Sequence, residues 1–240
     1  MAAATPGLSD GVNWYCYTAL GLLWLVDFTP IGQAVASGAD APIKLAVFQL
    51  ATFFLPSLVY AWRMGWDFKA TFRVAAPSGK WAAAGLGLGP VVWALTSAAI
   101  SLRTGVWPWD LAPDAAAGAA GGLVGGLVAA AAAGTSQDAA TLLASAALAP
   151  AVMEELLFRG LLLTALRQRF GSVDAAAVSG ALFALIHLSV EQFFPFCVLG
   201  LAAGAVATAS GSVWPAVALH AGYNATGLAL GLALQRAAAG

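Results

Sequence analysis

The amino-acid sequence predicts an all-α membrane protein, a polytopic transmembrane bundle of about eight helices. Hydrophobic residues make up 61% of the 240 residues and charged residues only 9%, whereas soluble domains carry about 25% charged residues. Apolar stretches long enough to cross a bilayer recur along the whole chain. Helices are expected because they satisfy their own backbone hydrogen bonds in lipid. The net charge of −1 argues against a nucleic-acid partner, which requires a basic surface.

Candidate membrane spans follow one another with short connections. A helix needs about 20 apolar residues to cross the ~30 Å hydrocarbon core. The weakest candidate is 115–134, which consists almost entirely of Ala and Gly. Short loops leave no room for a separate soluble domain, so we expect one continuous membrane domain. The candidates are 12–28, 42–62, 81–102, 115–134, 139–166, 172–189, 193–210 and 213–235.

Basic residues cluster at two places between the predicted spans. One cluster lies in the 63–80 loop and the other at Arg167 and Arg169. Basic loops mark the cytoplasmic side of a membrane protein. Three candidate spans separate the clusters, so a strict count places them on opposite faces. Either one candidate, with 115–134 the first suspect, does not cross fully, or one cluster breaks the rule.

Two adjacent acids stand inside the otherwise apolar segment 139–166. Ionised carboxylates within a membrane are costly and usually functional. Glu155 lies four residues before Arg159, the favourable order for an ion pair along a helix. Glu154 is rotated by about 100° from Glu155, so its partner must come from another helix. Glu154 is therefore the reactive candidate and Glu155 the supporting one.

Two further pairs of residues four apart occur in later spans. They are Phe183 with His187, and His220 with Asn224; residues at this spacing share a helix face. We expect these side chains to meet Glu154 in one intramembrane cavity. A glutamate can act as a general base on water, and His and Asn side chains can stabilise an oxyanion. One Glu with two His also matches a catalytic zinc ligand set, although the HExxH pattern is absent.

Three motifs resemble the CPBP family of intramembrane proteases, which includes the type II CAAX prenyl endopeptidases and lysostaphin resistance protein A-like proteins. That family is marked by EExxxR, FxxxH and HxxxN on successive helices. Here they read Glu154-Glu155-LLF-Arg159, Phe183-ALI-His187 and His220-AGY-Asn224. Each motif alone would be weak, but three in this order within apolar spans form a specific match.

The resemblance implies roles for four residues in peptide-bond hydrolysis. Glu154 would activate the attacking water and His187 would help to hold it. His220 and Asn224 would bind the oxyanion. The resemblance does not decide whether a metal takes part. We expect no obligatory cofactor; if Zn²⁺ is present, its ligands would be Glu154, His187 and His220.

The same resemblance implies three supporting residues and a division of the chain. Glu155 and Arg159 would support the reactive residues, and Phe183 would shape the pocket beside His187. Residues 138–236 would form the catalytic core helices, and residues 1–137 the N-terminal transmembrane helices of the same domain.

The resemblance implies an intramembrane endopeptidase that acts on a membrane-anchored protein or peptide. The Ala- and Gly-rich composition suggests a prokaryotic protein of the cytoplasmic membrane, where CAAX prenylation is not expected. The substrate, the cleavage site and the oligomeric state stay open. Two alternatives belong to other classes: a non-catalytic membrane scaffold or immunity protein, and a proton-coupled transporter, which also places Glu and His within the membrane. A transporter should show inverted repeats, whereas the ionisable residues here crowd the C-terminal half.

Overall fold

The computed structural model describes residues 4–36, 40–107, 128 and 131–239. Every regular element within these residues is helical, and no strand occurs in the part described. The predicted all-α class is confirmed. The helices are α1 (Leu8–Asp27), α2 (Ile31–Ala36), α3 (Ala41–Arg63), α4 (Phe68–Phe72), α5 (Gly79–Thr104), α6 (Ser136–Leu166), α7 (Ser172–Leu185), α8 (Val190–Ser210) and α9 (Trp214–Ala239).

Five of the described helices are long and apolar enough to cross a membrane, namely α3, α5, α6, α8 and α9. The predicted count of about eight spans is not confirmed. The predicted span 172–189 is shorter than expected, because α7 has only 14 residues and so extends only about 21 Å. The chain turns after it at Leu188, whose φ is 50°. The candidate 115–134 lies mostly outside the described residues.

Both basic clusters lie at the same end of the bundle. The Thr164 hydroxyl, near the end of α6, donates to the Thr71 carbonyl at 3.0 Å. Burial lowers the pKa of Arg73, and the nearby Arg167 lowers it further. Helix α5 leaves this end and α6 returns to it. The two clusters therefore do not conflict with the rule that basic loops share one side of the membrane.

Helices α3 and α6 each contain π-helical turns. One turn, Leu50–Phe54, precedes Pro56 in α3, and another, Ala144–Leu148, precedes Pro150 in α6. Proline lacks the N–H that would continue the helical ladder, and a π turn is one way in which the backbone accommodates the break. A third π turn, Leu156–Leu162, follows the acidic pair directly. Such turns often occur at functional sites.

Glycines bring helices α7 and α8 into close contact. A Cβ atom at Gly200 would lie 2.7 Å from the Cα of Gly180, and one at Gly204 would lie 3.1 Å from the Cβ of Ala176. Separations of four residues between small side chains let helix backbones approach each other within a membrane. Gly200 and Gly204 thus allow the two helices of the α7–α8 hairpin to pack tightly against each other.

Candidate functional site

The two acids on α6 have different surroundings. The Glu155 side chain is completely buried, whereas the Glu154 side chain is 13% exposed. Residues next to each other on a helix point about 100° apart, so one turn of α6 serves two environments. Glu155 points into the protein core, whereas part of the Glu154 side chain remains exposed.

Glu155 joins two of the predicted motifs through one oxygen atom. Its Oε1 accepts a hydrogen bond from Arg159 Nη1 at 2.9 Å and lies 2.8 Å from His220 Nδ1. The second guanidinium nitrogen, Nη2, donates to the Gly200 carbonyl at 2.8 Å. The ion pair predicted from the sequence is present, and it is fully buried. The bond to His220 was not predicted, because no local spacing relates residues 65 positions apart.

His220 is oriented by this contact. A carboxylate that is paired with Arg159 accepts hydrogen bonds, so His220 Nδ1 is the donor. Its other ring nitrogen, Nε2, lies 4.0 Å from Glu154 Oε2. That distance is too long for a direct hydrogen bond and is suited to one bridging water molecule. The buried acid therefore aims the histidine at the partly exposed acid.

The other oxygen of Glu154 has a partner on α3. Gln49 Nε2 donates to Glu154 Oε1 at 3.3 Å. Glu154 thus receives its partners from other helices, as the sequence predicts, but Gln49 itself was missed. The sequence feature that could have identified Gln49 is the presence of an amide side chain within the apolar segment 42–62.

His187 lies just after the end of α7. Its Nδ1 is 2.7 Å from the Phe183 carbonyl oxygen, so Nδ1 carries the proton and Nε2 is left as an acceptor in the neutral ring. The imidazole also packs against Phe196, with ring centroids 4.1 Å apart. Glu154 and His220 are close enough to His187 to interact with it electrostatically.

The ring of Phe183 lies between the two histidines. Its centroid is 4.8 Å from that of His187 and 5.5 Å from that of His220. The Arg159 guanidinium lies over the same ring, 4.8 Å from its centroid, within the range of a cation–π contact. Phe183 is completely buried, so this one side chain separates and orients both imidazoles.

Asn224 stands one turn beyond His220 on α9, and its side chain is half-buried. Residues four apart share a helix face, so Asn224 follows His220 along the face that meets α6. Within the part of the chain that the structure describes, its side chain makes no hydrogen bond. The structure thus brings Glu154, His187 and His220 together. Asn224 lies one turn from His220 on the same helix.

A metal ion would need several ligands at this place. Among the described residues, no group of three or more His, Cys, Asp or Glu side chains is arranged to hold one. Glu155 is committed to Arg159 and His220, which leaves Glu154 as the available carboxylate. The residues in this arrangement do not fit a three-ligand metal centre.

Comparison with known proteins relates the segment that contains these motifs to a protease family. The family model described as type II CAAX prenyl endopeptidase Rce1-like matches residues 136–226. No curated protein and no solved structure matched the chain. The matched segment contains every predicted site residue from Glu154 to Asn224. Residues 136–226 of this integral membrane protein are therefore similar to the CAAX protease-like family.

Proposed function

We propose that the protein is an intramembrane endopeptidase that hydrolyses a peptide bond in a membrane-anchored protein or peptide. One observation carries the proposal. Glu154 Oε2 faces His220 Nε2 across 4.0 Å, while the adjacent Glu155 is already bound to Arg159. The site thus holds one acid free to move a proton and one acid that is neutralised by its partner.

Glu154 is the proposed general base. Its carboxylate takes a proton from a water molecule as the water oxygen attacks the substrate carbonyl carbon. The carbonyl π electrons move to oxygen and form a tetrahedral oxyanion. When the oxyanion collapses, the C–N bond breaks and the leaving nitrogen takes the proton from Glu154. The products are a new carboxyl terminus and a new amine.

The histidines and Asn224 assist at separate atoms. His187 holds the water through Nε2, since its Nδ1 is committed to the Phe183 carbonyl. Asn224 donates its amide N–H to the oxyanion. His220 assists by donating from Nε2 to the oxyanion. Since Nδ1–H already donates to Glu155, Nε2 can donate only when both ring nitrogens carry a proton. The positive charge of the ring is then flanked by Glu154 and Glu155.

The surroundings of the site support the proposed substrate class, and the Ala- and Gly-rich composition supports the proposed location. Helices capable of spanning a membrane carry or flank the reactive residues, so a substrate must present its peptide bond within or beside the bilayer. We place the protein in the prokaryotic cytoplasmic membrane, with a membrane-anchored protein or peptide as its partner. No prenyl group is required of the substrate.

The test compares the termini of membrane peptides, by mass spectrometry, in cells that produce wild-type protein or Glu154→Gln at matched abundance. Glu191→Gln is the matched control, because Glu191 is exposed at the start of α8. We expect new termini with the wild type and with Glu191→Gln. Glu154→Gln should reduce their yield by about 10²–10⁴-fold, the usual contribution of a general base.

Identical termini in all three strains would overturn the proposal. If the Glu154→Gln protein also preserved every cellular effect of the wild type, a non-catalytic scaffold would account for the protein instead. A proton-coupled transporter would show no cleaved terminus either, but would lose proton-dependent uptake in Glu154→Gln.

A further inference from the structure

We propose that Gln49, on α3 and outside the family-matched segment, is a positioning residue that holds the carboxylate of Glu154 for catalysis. The proposal rests on the proposed function, because it deepens the account of the same site. Gln49 Nε2 lies 3.3 Å from Glu154 Oε1. It binds one carboxylate oxygen and leaves the other, Oε2, facing His220.

The orientation of the Gln49 amide follows from the chemistry of its partner. If the amide were turned over, its Oε1 would face a carboxylate oxygen, and two acceptors would be opposed. With Nε2 towards Glu154, Oε1 is buried and has no hydrogen-bond partner within the described residues. Among the described residues, Glu154 is therefore the only hydrogen-bond partner of the Gln49 side chain.

A purely structural role does not explain this amide well. Burying a polar group without full hydrogen bonding costs free energy, and Gln49 stands on a helix suited to a membrane. An apolar residue would satisfy packing at lower cost. What Gln49 supplies is a hydrogen bond to a carboxylate, and hydrogen bonds to charged groups are stronger than neutral ones.

The packing of α3 on α6 keeps Gln49 close to Glu154. Phe53 lies one turn after Gln49, and Phe158 lies one turn after Glu154. The centroids of the two rings are 6.3 Å apart. Phe53 and Phe158 are both buried. The contacts of Gln49 with Glu154 and of Phe53 with Phe158 thus repeat along two helices that run in the same direction. The N-terminal half of the chain contributes to the site through this interface.

The experiment compares Gln49→Leu, Gln49→Glu and the control Thr52→Val in the purified full-length protein. Thr52 lies on the same helix and its hydroxyl donates to the Phe48 carbonyl, away from the site. The first measurement is the infrared carboxylate stretch of Glu154, isolated for each variant by subtracting the spectrum of the same variant that also carries Glu154→Gln. The second is the yield, in cells, of the termini that wild-type protein produces.

We expect the Glu154 carboxylate band to move in Gln49→Leu and to stay in place in Thr52→Val. Gln49→Glu, which has nearly the same shape, replaces the donor with an acceptor and should move the band as well. In both Gln49 variants the yield of termini should fall about tenfold, as expected for a lost hydrogen bond to a charged group. If Gln49→Leu does not fold, the carboxylate band and the yield of termini are measured in Gln49→Glu alone.

An unchanged band in both Gln49 variants would overturn the inference, as would an unchanged yield of termini despite a moved band. Neither result would affect the proposed function, which depends on Glu154. If the wild type produced no termini at all, the proposed function would fail and the positioning role with it. A moved band would then show only that the two side chains are bonded.

Discussion

Glu155 Oε1 and His220 Nδ1 lie 2.8 Å apart inside the bundle, and the same oxygen accepts from Arg159 at 2.9 Å. This contact joins the first and third sequence motifs through a single atom. The other carboxylate oxygen of Glu155, Oε2, is buried without a hydrogen bond to the described residues. The position of His220 and the charge balance of Arg159 therefore depend on the same carboxylate.

Glu155→Gln should destabilise the protein and slow the reaction. The substitution leaves the fully buried Arg159 without its counter-ion, and breaking a buried pair in this way costs about 3–5 kcal/mol. His220 also loses the charged acceptor that orients it. The measurements are the thermal midpoint in detergent and the yield of cleaved termini at matched abundance. Wild-type values for both would contradict the role given to Glu155.

Phe183→Leu should impair the site because the Phe183 ring lies between His187 and His220. Leucine loses the edge contacts to both imidazoles and the cation–π contact with Arg159, which contributes about 0.5–2 kcal/mol. We expect a lower thermal midpoint and at least a tenfold loss of cleaved termini. Phe194→Leu is the control, since Phe194 is 53% exposed. Equal behaviour of the two variants would contradict the role given to Phe183.

Gly200→Ala tests the close packing of α7 on α8. The new methyl group would lie 2.7 Å from the Cα of Gly180 and 3.2 Å from Arg159 Nη2, so the helices must separate or the guanidinium must move. We expect a destabilisation of about 1–3 kcal/mol, typical of overpacking, read from the thermal midpoint. Gly87→Ala is the matched control, because nothing lies within 4 Å of its added methyl group. Stability equal to that of the control would show that the interface is looser than described.

The shared end of the two basic clusters predicts the orientation of the protein. If that end is cytoplasmic, a cysteine introduced at Ser78, just before α5, should react with a membrane-impermeant thiol reagent only in inverted vesicles. A cysteine at Ser136, at the start of α6, should react in intact spheroplasts. Cys16 and Cys197 are first replaced by Ala. The reverse labelling pattern would place the basic end outside the cytoplasm.

Chelation should leave the activity intact. The described residues contain no group of three or more His, Cys, Asp or Glu arranged for a metal ion, and Glu155 is already bound to Arg159 and His220. Purified protein treated exhaustively with chelators should still cleave the substrate named by the new termini, with no metal found by elemental analysis. Loss of cleavage that Zn²⁺ restores would support the alternative ligands Glu154, His187 and His220.

Local sequence patterns predicted contacts within single helices, because a helix places residues four apart on one face. The buried pair of Glu155 with Arg159 follows from that spacing. The hydrogen bond between His187 Nδ1 and the Phe183 carbonyl was not predicted. The sequence also predicted that the partner of Glu154 comes from another helix. It did not predict the identity of that partner, since Gln49 is 105 residues away and no periodicity relates the two positions.

Amino-acid composition by itself determined the helical membrane class, because long apolar stretches can satisfy their backbone in lipid only as helices or closed barrels. The tertiary structure alone decided which side chains on different helices meet. Close glycine contacts between α7 and α8 and the packing of Phe53 near Phe158 set how the helices lie against each other. These contacts bring His220 to Glu155, Gln49 to Glu154 and the two basic clusters to one end. Such relationships depend on the surfaces of several helices at once, and a linear sequence specifies them only through packing.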